Sequence, residues 1–222
     1  MGRSGVATQA LAAIDIALYD LKAKRAGLPP LPSSCSYRDS VQTYNTSGGF
    51  LNATLDEVKE RATQSIDEGG IGGIKIKVGL PDSKEDLRRV AGVRQHIGWD
   101  VPLMVDANQQ WDRATALRMG RQLEEFNLIW IEEPLDAYDF EGHAHLAQVL
   151  DTPIATGEML ASVAEHKGLI NANSCDIIQP DAPRVGGITQ FLRLAALADE
   201  RGWASPRTLP WKSTCTWLLL PA

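Results

Sequence analysis

Two lysines separated by a single residue, in GGIKIKVG at positions 72–79, carry the first chemical signal of this chain. In a strand the side chains alternate, so Ile74, Ile76 and Val78 face one way while Lys75 and Lys77 face the other. An amine works as a base when a neighbouring cation lowers its pKa, and each of these lysines has such a neighbour two residues away. Acids follow at matching intervals: Asp106 in MVDAN, Glu132 and Glu133 in WIEEP, Glu158 in ATGE and Asp181 in QPDAPRVGG. Asp106, Glu132 and Glu158 succeed one another at steps of 26 residues. Three carboxylates gathered without a partner would repel one another, so a hard divalent cation is the natural occupant, and magnesium fits best. A lysine base facing such a metal suits the removal of a proton alpha to a carboxylate, because the dianionic enolate that results needs its charge stabilised where it develops. On this reading Lys77 is the base, and Lys75 lowers its pKa and helps to hold an anionic substrate. The competing reading is plainer: the lysines lie on a solvated strand face, and the strand-end acids cap the helices that follow them.

The elements that would position these residues are legible in the same stretch of chain. After about residue 40, short apolar runs alternate with longer amphipathic segments, from VQTYNTS and TLDEVKERATQSIDEG through to CDIIQPD and GGITQFLRLAALADERG. Six such strand-and-helix units in succession predict a parallel sheet, and their spacing of roughly 25 residues favours a TIM-like (β/α) barrel over an open doubly wound sheet. No Gly-x-Gly-x-x-Gly follows a strand, which weakens the dinucleotide-binding alternative. In a barrel the C-terminal strand ends converge on one face, which is where Lys75, Lys77, Asp106, Glu132, Glu158 and Asp181 fall. Ahead of the barrel, TQALAAIDIALYDL predicts an amphipathic or buried helix.

The bulk composition narrows the partners. With 222 residues, 44% hydrophobic and 23% charged, the chain has the make-up of a globular protein able to bury a core. A formal charge of −6 argues against a nucleic-acid surface, and the absence of a long apolar run argues against a membrane span. The start lacks the order of a secretion signal, and Cys35, Cys175 and Cys215 have no metal-binding spacing, so a reducing, cytoplasmic setting and a small-molecule substrate are expected.

Taken together, KIKVG, MVDANQQWD, WIEEPLD, ATGEM and PDAPRVGGIT resemble the enolase superfamily, in its mandelate racemase subgroup. Within the subgroup, YNTSGGFL and EEPLDAYDFEGH are most similar to the dehydratases of acid sugars. The likeness covers roughly residues 5–28 and 37–205. It implies magnesium held by Asp106, Glu132 and Glu158, Lys77 as the base, Lys75 and Asn108 as substrate contacts, and Asp181 as the carboxylate that orients an acid histidine. It further implies a hydro-lyase acting on a dicarboxylate hexarate of the galactarate/L-talarate type, and a homo-oligomer in the full-length family. Alternatives within the same family are a racemase or epimerase and a dehydratase of another sugar acid, and outside it a non-catalytic fragment.

The chain departs from the family pattern in three places. Residues 1–36 read as a remnant of the helix linking a capping domain to the barrel, so most of that domain is missing. Residues 37–205 read as an incomplete barrel, and residues 206–222 as an aberrant tail. The expected histidine, about 27 residues past Asp181, is not there, since His96, His143, His145 and His166 all precede Asp181. Arg207 to Leu219 is what a shift of one nucleotide produces, with suitable synonymous codons, from Pro-His-Phe-Ala-Met-Glu-Val-His-Leu-His-Leu-Ala-Ala, the stretch that the resemblance places there. PLPSSCS at 30–36 interrupts the likeness without changing its length, read either as compensating frame errors or, from its Pro and Ser content, as a loop or linker. Activity as written is therefore expected to be impaired, and unpaired strand edges to favour association between copies.

Overall fold

The computed structural model describes residues 5–28, 43–69 and 72–200, together with the backbone of 211–212. The interruption at 30–36 lies outside these residues, as does the 206–222 tail apart from that backbone. The elements run α1 (Val6–Ala26), β1 (Thr43–Gly49), α2 (Leu55–Gly69), β2 (Ile74–Lys77), α3 (Ser83–Ile97), β3 (Leu103–Asp106) and α4 (Arg113–Leu123). They continue with β4 (Ile131–Glu132), α5 (Phe140–Val149), β5 (Ile154–Thr156), α6 (Val163–Asn171), β6 (Ile177–Ile178), α7 (Ala182–Val185), α8 (Ile188–Glu200) and β7 (Trp211–Lys212). The expected strand-and-helix alternation is present, with α7 as a short helix that the sequence reading did not separate. The chain divides into two compact units, one of residues 43–156 and 172–177, the other of the remainder.

In the first unit β1 to β5 lie in sequential order, and each adjacent pair is parallel. That order, with a helix after each strand, is the arrangement of a (β/α) barrel. The apolar face of β2 is sealed, with Ile74, Ile76 and Val78 at most 4% exposed, and Leu103, Met104 and Val105 of β3 are wholly buried. Helix starts follow local rules. Thr54 and Glu57 form a reciprocal capping box at α2, the Glu57 carboxylate accepting the Thr54 N–H at 2.7 Å and the Thr54 hydroxyl accepting the Glu57 N–H at 3.3 Å. Asp82, Asp112 and Asp139 cap α3, α4 and α5 by accepting the N–H of Lys84, Thr115 and Gly142.

In the second unit α1 packs against α7 and α8. The core there is Ala182, Val185, Ile188, Phe191 and Leu194, with Ile16 and Tyr19 of α1 against it. Asp15 of α1 accepts the Thr189 N–H at 3.0 Å and the Thr189 hydroxyl at 2.6 Å, satisfying the start of α8 from 174 residues away. Gly187 permits this approach, because a Cβ there would collide with the Asp15 carboxylate. The expectation of an amphipathic or buried α1 is met on one face only: Leu11, Ile14, Leu18 and Leu21 of the other face are more than half exposed. Among the described residues no helix is long and apolar enough to cross a membrane.

One buried cation holds the loops that enter β3 and β4. Arg94 of α3, 2% exposed, donates from Nε to the Phe126 carbonyl at 2.9 Å and from Nη1 to Gly98 and Val101 at 2.9 and 2.7 Å. Its Nη2 donates to the Asn127 carbonyl at 3.1 Å. Truncating it orphans several buried carbonyls at once, so Arg94→Ala is expected to lower unfolding free energy by about 3 kcal/mol or more in urea titrations, with Arg94→Lys recovering little of it.

Candidate active site: a lysine and carboxylate cluster at the strand ends

The parallel register brings the predicted charges together within the first unit. Lys77 of β2 is paired with Asp106 of β3, and Asp106 with Glu132 of β4. Lys75 Nζ lies 3.0 Å from Asp106 Oδ2 and 2.5 Å from Glu132 Oε2, while Lys77 Nζ lies 2.6 Å from the same Asp106 oxygen. Lys75, Asp106 and Glu132 are buried, and the Lys77 side chain keeps 22% of its surface open. The solvated-face reading of the lysines is thereby excluded. Two cations and two anions in so dry a place balance one another, which is the condition for burying charge at all.

Burial pushes the Asp106 carboxyl up, but the charges of Lys75 and Lys77, with their hydrogen bonds, outweigh it and hold the carboxyl down at about 2. Its other oxygen accepts the Asn108 N–H at 3.0 Å.

Aromatic groups complete the cluster, and sequence reasoning missed them. Trp130 Nε1 donates to Glu132 Oε2 at 3.3 Å, and its ring meets that of Tyr44 edge to face, with centroids 5.3 Å apart. Lys75 Nζ stands 5.7 Å from the centre of the Tyr44 ring. The signal for Trp130 was available: it precedes Glu132 by two residues and so shares its strand face. Tyr44 carries no comparable sign beyond its place in β1.

The segments after β3 and β4 are locked in a conformation that side chains other than glycine rarely adopt. Asn108, Gln109 and Glu133 have φ of 44°, 65° and 40°. Gln109 secures them, donating from its backbone to the Glu133 carbonyl at 2.7 Å and from Nε2 to the Glu133 carboxylate at 3.1 Å, while its Oε1 accepts the Ala137 N–H at 3.0 Å. Such over-determined strain clusters where geometry must be held for function.

The other predicted site residues are placed as follows. Asn108 is exposed at the end of β3. Glu158 and Asp181 belong to the second unit. Glu158 is half-buried, two residues past the end of β5. Asp181 Oδ1 accepts the Arg184 N–H at 2.8 Å and caps α7, as the plainer reading of strand-end acids anticipated. Among the described residues no three His, Cys, Asp or Glu side chains gather as a ready-made metal cage. Asp106 and Glu132 do present two buried carboxylates on adjacent, paired strands, a donor set that suits a hard divalent ion. The histidines are committed elsewhere. His143 bonds the Asp139 carbonyl through Nδ1, His166 bonds the carbonyls of Ser162 and Gly157, His96 bonds the Thr63 hydroxyl, and His145 is exposed. Burial pushes the pKa of both His143 and His166 down.

Removing Lys75 would leave two buried carboxylates to share Lys77. Lys75→Met is therefore expected to cost about 3–5 kcal/mol in urea titrations and to raise the Asp106 carboxyl, read by carbon NMR of its side chain. The sign follows from linkage: because the folded value of about 2 lies below the ordinary 3.8, the stabilisation is fully present above 3.8 and is lost as pH falls through about 2.

Comparison with known proteins bears on the family and the fold. Residues 57–217 match the enolase C-terminal domain-like family, a match that runs into the 206–222 tail. The chain is 63% identical over 202 residues to the L-talarate/galactarate dehydratase of Salmonella typhimurium LT2, covering 91% of this chain and 50% of that protein. A crystal structure of that Salmonella enzyme with Mg and L-lyxarohydroxamate superposes with a TM-score of 0.91 at 57% identity, covering 98% of this chain and 59% of the other. The L-talarate dehydratase of Polaromonas sp. JS666, complexed with Mg and L-glucarate, gives 0.89 at 57% identity, covering 98% and 65%. The chain spans about half the length of the curated relatives it matches. With well over half of its residues in the match, the chain belongs to the enolase C-terminal domain-like family.

Proposed function

We propose that this chain carries the proton-abstracting half of a magnesium-dependent acid-sugar dehydratase, a hydro-lyase acting on hexarates of the galactarate/L-talarate type. The observation that carries the reading is the hydrogen-bonded cluster of Lys75, Lys77, Asp106 and Glu132 at the ends of three paired strands. Identity to a talarate/galactarate dehydratase and likeness to structures holding Mg and L-glucarate support the same chemistry.

In this reading Asp106 and Glu132 would hold the magnesium, Glu158 being the third ligand that the resemblance implies, and the ion would supply positive charge for a substrate carboxylate. Lys77, the more open of the two lysines, takes that proton at Nζ. Its ammonium pairs with Asp106, so it must first give up a proton and that contact, while Lys75 stays against Asp106 and Glu132. Lys75 and Asn108 then meet the anionic substrate. Asp181 would orient a general acid for the departing hydroxyl, but the four histidines of this chain precede it and Arg207 stands where the acid is expected. A missing general acid costs on the order of 10²- to 10⁴-fold, so dehydration by this chain is impaired while alpha-proton exchange survives. We place the work in the cytoplasm, in keeping with three cysteines that lack metal or paired spacing, and with a homo-oligomer as the full-length assembly.

Galactarate and L-talarate incubated with the chain and Mg2+ in D2O test this by NMR. The expected result is deuterium at the alpha carbon with little or no keto product, abolished by Lys77→Met. Exchange that persists in Lys77→Met would remove the base assignment, and no exchange by the unaltered chain would favour a non-catalytic metal-site relic.

A further inference from the structure

Helix α3 carries two further buried charges, Asp86 and Arg89, that neither the lysine cluster nor the helix itself uses. Asp86 is wholly buried and Arg89 is 5% exposed. The start of α3 is already capped by Asp82, so Asp86 is free to serve another group. Its Oδ2 accepts the N–H of Gly79 at 2.8 Å and of Leu80 at 3.0 Å. These are the second and third residues of the turn that leaves β2 at Lys77. On its other side the turn is wedged against the segment that follows Asp106. Gly79 has φ +110°, and a Cβ there would stand 2.9 Å from the Gln110 side chain and 3.1 Å from the Ala107 carbonyl. Between turn and strand, Val78 donates to the Asp106 carbonyl at 3.0 Å, the last rung before the chain bends away. Lys77 is thus fixed between a ladder bond to the Asp106 backbone and a turn gripped by Asp86.

Arg89, one helical turn on, holds the loop after β1 in the same way. Its Nη1 donates to the Ala53 carbonyl at 2.6 Å and its Nη2 to the Phe50 carbonyl. Burial leaves the Asp86 carboxyl above its ordinary value, with the Gly79 and Leu80 N–H groups and the Arg89 charge offsetting only part of the rise. Buried charge is seldom an efficient source of stability compared with apolar packing, so its use at the mouth of two strands asks for a positional reason.

We infer that Asp86 is a positioning residue for Lys77, holding the turn after β2 so that the Lys77 ammonium reaches Asp106 across the strand pair. The role rests on the assignment of Lys77 as the base, but its geometry and its test do not need turnover.

Limited acetylation of the full chain by an N-hydroxysuccinimide ester, with each lysine followed by mass spectrometry, reads the Lys77 contact directly. In Asp86→Ala, Lys77 is expected to react about fivefold faster, the worth of one partly exposed ion pair, while buried Lys75 and exposed Lys84 keep their rates. Asp86→Asn is expected to restore the slow rate, because its amide oxygen still accepts both N–H groups. An unchanged Lys77 rate in folded Asp86→Ala, or a joint rise of Lys75 and Lys77, would overturn the inference, the latter marking general loosening. Hydrogen exchange on the unaltered chain covers the case in which Asp86→Ala does not fold. The Gly79 and Leu80 amides should exchange as slowly as that of Val78, and fast exchange at both would overturn the inference equally. Because acetylation and amide exchange need neither metal nor hexarate, failure of the dehydratase reading would leave this test intact.

Discussion

The register between β2 and β3 is the constraint on which the rest of the first unit depends. Ile74, Lys75, Ile76 and Lys77 pair with Leu103, Met104, Val105 and Asp106 in unbroken order. Strand side chains alternate, so a slip of one residue would turn both lysines toward the helices and bring Ile74, Ile76 and Val78 to the carboxylates. Asp106 and Glu132 would then be buried charges without cations, a penalty of several kcal/mol for each ion. The apolar face and the charged face of β2 therefore enforce the same register, and the core and the site are two consequences of one alternation.

That coupling also explains what could be read in advance. Lys75, Lys77, Asp106 and Glu132 were legible because strand periodicity sets their faces and barrel topology sets their neighbours, both of which are local or regular properties. The acids as a class were ambiguous. Asp82, Asp112, Asp139 and Asp181 all cap helices, whereas Asp106 is held by two lysines and Asp86 by backbone groups of a turn, yet each is an acid near the end of a strand or the start of a helix. What separates them is the partner that the fold brings from far along the chain, which no local pattern states. For the same reason the Asp15 bond to Thr189, the Trp130 bond to Glu132 braced by Tyr44, and the clamp of Gln109 on Glu133 were not foreseen. Positive φ at Asn108, Gln109 and Glu133 was equally hidden, because these residues do not advertise the conformation as glycine would.

The chemistry that follows is uneven. Two lysines and two carboxylates form a dry, charge-balanced cluster, suited to exchanging ammonium partners for a divalent ion and a substrate carboxylate as the site loads. The histidines, by contrast, are taken up by backbone carbonyls and a threonine hydroxyl or lie exposed, and none follows Asp181 in the chain.

Asp106 and Glu132 are expected to trade their lysine partners for a metal, which calorimetric titration of the chain with MgCl2 at neutral pH reads out. Saturable binding at one site, lost in Asp106→Asn and in Glu132→Gln, would bear this out. Equal binding by those variants, or no binding by the unaltered chain, would contradict it.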